Sequence, residues 1–87
     1  MKTYTLKISS PDGDVFAGTV VSLSLRGAEG DLAVLADHMP FVTSVKAGDC
    51  KIELDDGTEK IAHTDGGILT VAPDGVTLLS ASFKFND

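Results

Sequence analysis

The side chains best suited to act as nucleophiles, bases or metal ligands are few in this sequence and lie far apart. His38 and His63 are the two histidines, and Cys50 is the lone cysteine. Nucleophilic catalysis needs a nucleophile held beside a base, and no local motif brings Ser22 or Ser24 to His38. A zinc site needs several Cys or His ligands at close spacing. We therefore expect neither an active site nor a metal site.

Two short motif fragments are better explained as turns. The pattern Gly27-x-x-Gly30 is too short to cradle a phosphate and lacks the Lys-Ser/Thr pair that follows a phosphate loop. Asp12-Gly13-Asp14 matches only a fragment of a calcium loop. Both patterns predict tight connections between strands. We interpret His63 as a strand residue and His38 as a hydrogen-bonding residue of a connection between strands.

Apolar and polar residues alternate along much of the chain. Residues 4–9, 21–26 and 50–55 each place apolar side chains at every second position, which is typical of strands with one face in a core. Turn signals recur along the chain, at 11–13, 27–30, 55–57, 66–67 and 73–75. No stretch of twelve residues shows a helical stripe. The pattern predicts an all-β, flattened sandwich or barrel of about eight to ten short antiparallel strands.

Two of the predicted strands are apolar on both faces. Val76 and Leu78 lie opposite Leu79, and Val42 has the opposite parity to Phe41 and Val45 within 41–45. One face of each strand should pack in the core. The other face is either a set of isolated surface apolar residues or a docking patch for a partner, and alternation alone supports both interpretations.

The composition narrows the class of protein further. A chain of 87 residues forms one domain, spanning 1–87. Its net charge of −6 argues against nucleic-acid binding and a polybasic membrane anchor. The longest apolar run, residues 32–36, is far shorter than a membrane span, and we expect no signal peptide at the N-terminus. One cysteine is typical of a reducing compartment, so we expect a soluble, acidic, intracellular domain.

Four blocks of the sequence together resemble a known family. Residues 10–18, 27–43, 66–71 and 73–79 are similar to the epsilon subunit of the rotary ATP synthase, whose mitochondrial counterpart is called delta. The resemblance implies a non-catalytic subunit at the foot of the central stalk, which joins the gamma subunit to the c-ring and supports coupling of proton flow to ATP synthesis. It implies no metal, cofactor, nucleic acid or direct membrane insertion.

The resemblance also implies which residues meet the partners and where the protein lies. The gamma-facing positions are Ser10, His38, Val42, Thr43 and Leu78. Glu29 and Asp31 face the polar loops of the c-ring, which carry basic residues in this family. The protein is then peripheral on the cytoplasmic side of a bacterial inner membrane, or the equivalent side of an energy-transducing organelle membrane.

Most members of the family continue into a C-terminal helical hairpin, which is absent from this sequence. The chain is therefore either a naturally short form or an isolated N-terminal domain. The alternative function is an acidic all-β binding or carrier module of another complex. A biotinyl or lipoyl carrier needs a lysine at an exposed hairpin tip, and the turn Asp55-Asp56-Gly57 has none.

Overall fold

Nine strands account for most of the computed structural model, which describes residues 2–37 and 39–86. In chain order they are β1 (Tyr4–Ser10), β2 (Gly13–Gly27), β3 (Gly30–Leu35), β4 (Phe41–Val45), β5 (Gly48–Leu54), β6 (Glu59–Thr64), β7 (Gly67–Ala72), β8 (Gly75–Ser80) and β9 (Phe83–Phe85). The predicted all-β fold and strand number are confirmed. Among the described residues no helix is long and apolar enough to cross a membrane.

The long strand β2 connects two groups of strands. Its first half pairs with β1, and β1 continues through β8 and β7 to β4. A short pairing of Val45 with Gly27 brings β4 back to the end of β2 and closes this group into a ring. The second half of β2 pairs with β3 on one edge and with β5 on the other, and β5 continues through β6 to β9. All pairs are antiparallel except β1 with β8.

One contiguous core lies between the two groups of strands. Leu6 and Ile8 of β1, Ile52 of β5 and Leu69 of β7 are all fully buried, as alternation predicts for strands with one inward face. The complete set of buried apolar residues is Leu6, Ile8, Val20, Leu23, Leu25, Val34, Val45, Cys50, Ile52, Ala62, Leu69, Val71, Val76, Leu78 and Phe83.

A bulge in β2 decides which of its side chains reach this core. The register with β5 shifts between Val20 and Ser22, so that inward positions change from even to odd numbers at this point. Val20 is therefore fully buried together with Leu23 and Leu25, whereas Val21 is only half-buried. The sequence pattern placed Val21 in line with Leu23 and Leu25, because alternation carries no signal for an extra residue.

The predicted turns lie where the glycines and prolines indicated. Residues 11–12, 28–29, 55–58 and 73–74 connect successive strands. A buried hydroxyl pair fixes a further connection: Thr64 and Ser80 lie 2.6 Å apart, and the Gly66 N–H donates to the Thr64 hydroxyl at 3.0 Å. This pair joins the end of β6 to the end of β8. Beside it, at the start of β7, Gly67 lies so close to Leu79 that a Cβ would overlap the Leu79 carbonyl oxygen.

Candidate binding surfaces

An apolar patch lies on the outer face of the strands β4, β7 and β8. It consists of Val42, Ile68 and Leu79, whose side chains are 66%, 45% and 55% exposed. Ile68 lies directly opposite Leu79 across β7 and β8. On the other side Ile68 pairs with Ser44, two positions along β4 from Val42, so Val42 is its diagonal neighbour on the same face. The three side chains thus form one surface rather than isolated exposed residues.

Threonines complete the apolar patch between its larger side chains. Thr70 lies opposite Val42 and also opposite Thr77. Both threonines are half-buried on this outer face. No charged residue of β4, β7 or β8 interrupts the patch, and Lys7 borders it where β1 pairs with Thr77. A partner that covers the patch therefore desolvates methyl groups and few charges.

The structure corrects one predicted member of the gamma-facing set. Leu78 is 0% exposed and belongs to the core, so it cannot contact a partner at the surface of the folded domain. The strand faces were assigned the wrong way round at this position, and its neighbour Leu79 is the exposed residue. A signal was available, because Val76 and Leu78 together form the more apolar face of β8 and that face packs inward.

The other predicted members of that set occupy different places. Val42 is exposed as expected. Thr43, with the opposite parity on β4, is half-buried and lies at the cleft beside the β2–β3 turn rather than in the apolar patch. Ser10 ends β1 and lines a shallow pocket that also contains Leu79. His38 lies outside the described residues. Ile68 was missed, since residues 66–71 were used for the family resemblance and no strand face was assigned to them.

Glu29 and Asp31 lie at and beside the tip of the β2–β3 hairpin. Ala28 and Glu29 form its two-residue turn, and Asp31 follows as the second residue of β3. Both acidic side chains are exposed. The Asp31 carboxylate lies 3.7 Å from Arg26 Nε and is 89% exposed, so this ion pair is loose and leaves the carboxylate available to another cation.

Among the described residues, the side chains that could do chemistry, Cys50 and His63, do not form a catalytic arrangement. Cys50 is buried, and desolvation together with the neighbouring Asp49 carboxylate raises the pKa of its thiol to about 11. The thiol is therefore protonated at neutral pH and is a poor nucleophile. His63 Nδ1 lies 3.4 Å from Asp49 Oδ1 and its Nε2 lies 3.8 Å from Asp65 Oδ1, on an exposed strand surface.

Metal ligands do not converge in the described part of the chain either. Residues 2–37 and 39–86 contain no group of three or more His, Cys, Asp or Glu side chains with the geometry to hold a metal ion. A surface depression of about 540 Å³, lined by residues that include Arg26, Asp31 and Ile61, is open and combines opposite charges with apolar side chains.

Comparison with known proteins gives a consistent family. The model of the family described as the ATP synthase delta/epsilon chain, β-sandwich domain, matches residues 3–85. A chain of the Euglena gracilis mitochondrial ATP synthase, in a structure of OSCP, F1 and the c-ring, superposes with a TM-score of 0.89 at 21% identity. The alignment covers 95% of this chain and 53% of the Euglena chain, so this chain spans about half the length of its structural relative.

A second solved structure has the same fold. A chain from the central stalk and c-ring of the Tetrahymena thermophila mitochondrial ATP synthase superposes with a TM-score of 0.75 at 11% identity. That alignment covers 94% of this chain and 66% of the Tetrahymena chain. At such low identity both similarities describe the fold alone.

Proposed function

Since this chain belongs to the family of the ATP synthase delta/epsilon chain β-sandwich domain, we propose that it is a central-stalk subunit of a proton-driven ATP synthase. In this function it joins the gamma subunit to the c-ring and supports coupling of proton flow to ATP synthesis. The observation that carries the proposal is the apolar patch of Val42, Ile68 and Leu79, an exposed surface on the outer face of β4, β7 and β8.

The apolar patch is the surface proposed to contact gamma. A stable interface buries about 800 Å² on each partner, and this domain exposes 5081 Å² in all. Three side chains alone do not supply that area, so the interface extends to neighbouring positions. Ser10 lies beside Leu79, and Thr43 follows Val42 along β4. His38, implied by the family resemblance, completes the proposed set.

Glu29 and Asp31 are the proposed contacts with the polar loops of the c-ring. The hairpin tip projects two carboxylates, and basic ring loops suit them. Each exposed pair contributes only about 0–1 kcal/mol. These pairs therefore fix the orientation of the domain on the ring more than they strengthen its attachment.

We further propose that the chain is non-catalytic and binds no nucleotide. The net charge of −6 repels a polyanion, and the Gly27–Gly30 segment forms a hairpin turn rather than a phosphate loop. As part of the complex the protein lies at the membrane periphery, on the cytoplasmic side in bacteria or the equivalent side of an organelle membrane.

The proposed gamma contact is tested with matched variants on the two outer faces of the domain. Ile68→Asp places an unpaired charge in the apolar patch, whereas Ile61→Asp makes the same change at an exposed position of β6. We expect the purified chain to form a 1:1 complex with an ATP synthase gamma subunit. Ile68→Asp should weaken it at least tenfold and Ile61→Asp less than twofold, measured by titration calorimetry. No complex, or equal effects of both variants, would contradict the proposal.

A further inference from the structure

The strand β3 leaves one long edge without a partner strand. It pairs with β2 along its whole length, from Gly30 opposite Gly27 to Leu35 opposite Ser22, and with no other described strand. The second edge of β3 therefore borders open space along the side of the sandwich.

The hairpin geometry identifies the backbone groups that face this open edge. A two-residue turn is closed by a hydrogen-bonded pair, here Gly27 with Gly30, and hydrogen-bonded pairs alternate along an antiparallel ladder. Leu32 and Val34 therefore direct their N–H and C=O groups to β2. Asp31, Ala33 and Leu35 direct theirs outward, so three donors and three acceptors point away from the sheet at regular spacing.

The usual protections of an exposed edge are missing from β3. Its register with β2 has no bulge, and the segment contains neither proline nor lysine. Asp31 is its one charged residue, at one end. Ala33 is small and exposed at the middle, and Leu35 is exposed at the other end. An added strand meets no steric or charged obstacle over residues 32–35.

A cleft lies beside the hairpin end of this edge. It has a volume of about 470 Å³, and its walls are the hairpin residues 27–32 and residues 41–43 of β4. Leu32 and Phe41 supply its apolar surface, and Val42 joins it to the apolar patch. Inward-facing side chains of an added strand have this cleft to occupy.

We propose that the β3 edge accepts an extended segment of another protein as an additional strand, with a Lys or Arg opposite Asp31. The proposal does not depend on the central-stalk function. The negative charge of Asp31 at this edge favours a segment with a basic residue as the occupant. The Asp31 carboxylate has only the loose contact with Arg26, so a basic residue gains an ion pair there. A second copy, paired antiparallel about Ala33, places Leu35 opposite Asp31 and gains none.

Alternating β-branched residues satisfy the rest of the site. Residues of the added strand opposite Ala33 and Leu35 lie on the outer face, where threonine and valine fit a pleated surface. The residues between them turn inward toward Leu32 and the cleft. Main-chain hydrogen bonds supply most of the affinity and the charge opposite Asp31 supplies the register.

The test uses a synthetic probe peptide, acetylated and amidated, that alternates valine and threonine between two terminal lysines. We expect saturable binding to the full chain by ¹⁵N NMR, with amide exchange of Asp31, Ala33 and Leu35 slowed at least tenfold. Ala33→Pro removes one outward donor without touching the β2 ladder and should weaken binding at least tenfold. Ala33→Ser keeps the donor and should change binding less than threefold.

A second measurement keeps the outcome clear if Ala33→Pro lowers stability. A peptide N-methylated at every residue has no backbone N–H to donate from either edge, and it should not bind unaltered protein in either register. Absence of saturable binding at millimolar peptide overturns the proposal, as does binding that Ala33→Pro or N-methylation leaves unchanged. A dimer of the chain alone that Ala33→Pro abolishes would also overturn it, in favour of a second copy as occupant.

Discussion

Leu78 and Leu79 are adjacent residues of β8 with opposite surroundings, one in the core and one in the apolar patch. Leu78→Ala removes buried methyl groups and leaves a cavity, which costs about 2–5 kcal/mol of folding free energy. Leu79→Ala changes an exposed side chain and should alter stability by less than about 0.5 kcal/mol. Urea denaturation of the two variants measures both values. Similar losses in both would contradict the assignment of the strand faces.

The buried thiol of Cys50 should lower the free energy of unfolding of the domain at alkaline pH. Its pKa is about 11 in the folded chain against an ordinary value of 9.0, so between these values the unfolded chain binds fewer protons. Stability must then fall as pH rises through this window, by about 1–2 kcal/mol at pH 10.5 from this one group. Burial of Tyr4 raises the pKa of its phenol and acts in the same direction.

The variant Cys50→Ala distinguishes the contribution of the thiol to this pH dependence from that of Tyr4. The variant should start less stable at pH 7, because it loses buried volume, yet lose less stability than the unaltered chain between pH 8 and 10.5. Thermal denaturation across this range provides the comparison. Parallel pH curves for the two proteins would show that the thiol is not the titrating group.

Among the strands, the approach of β7 to β8 depends on a glycine. A side chain at Gly67 would overlap the Leu79 carbonyl oxygen, which is backbone and cannot turn aside. Gly67→Ala should therefore destabilise the domain by about 1–3 kcal/mol or more. At Gly18 an added Cβ would meet only the Phe16 ring, at 3.3 Å, so Gly18→Ala should cost less. Equal melting temperatures for the two variants would contradict this explanation.

Native-state hydrogen exchange tests the predicted ladder of β3. In the free chain the amides of Leu32 and Val34 bond to β2 and should exchange slowly, whereas those of Asp31, Ala33 and Leu35 should exchange close to the rate of an exposed peptide. An alternating pattern over residues 31–35 is the expected result. Uniform protection along β3 would mean that its outer edge is already paired.

The strands and turns were largely predictable because their signals are local. Asp55-Asp56-Gly57 and Pro73-Asp74-Gly75 specify turn geometry by themselves, and residues 4–9 specify an inward face by alternation alone. The face of β8 was assigned wrongly, because Leu78 and Leu79 are chemically alike and only Val76, two residues before Leu78, indicates which face is the more apolar. Ile68 entered the apolar patch through its pairing with Leu79, a contact between strands that no local pattern contains.

On the scale of the whole molecule, the proposed gamma contact and the proposed c-ring contact can be tested separately. Asp31→Lys reverses the charge at the hairpin tip while leaving the apolar patch intact. It should reduce coupling between proton pumping and ATP turnover in membrane vesicles and leave the gamma complex unchanged. Asp74→Lys, in the β7–β8 turn, makes the same charge change away from that tip and serves as the control. Unaltered proton pumping in Asp31→Lys would remove the proposed ring contact.

The length and double pairing of β2 have a mechanical consequence. Its C-terminal end carries the hairpin tip, and its N-terminal half is bonded to β1, which is bonded in turn to β8 behind Leu79. A force applied at the hairpin tip is thus carried along the β2 backbone before it passes through hydrogen bonds to β1 and the other group of strands. The ladder bonds on β2 lie across that line, so they are sheared together instead of being peeled open one by one. The domain should therefore resist extension between the hairpin tip and the apolar patch, because the ladder bonds along β2 must break together.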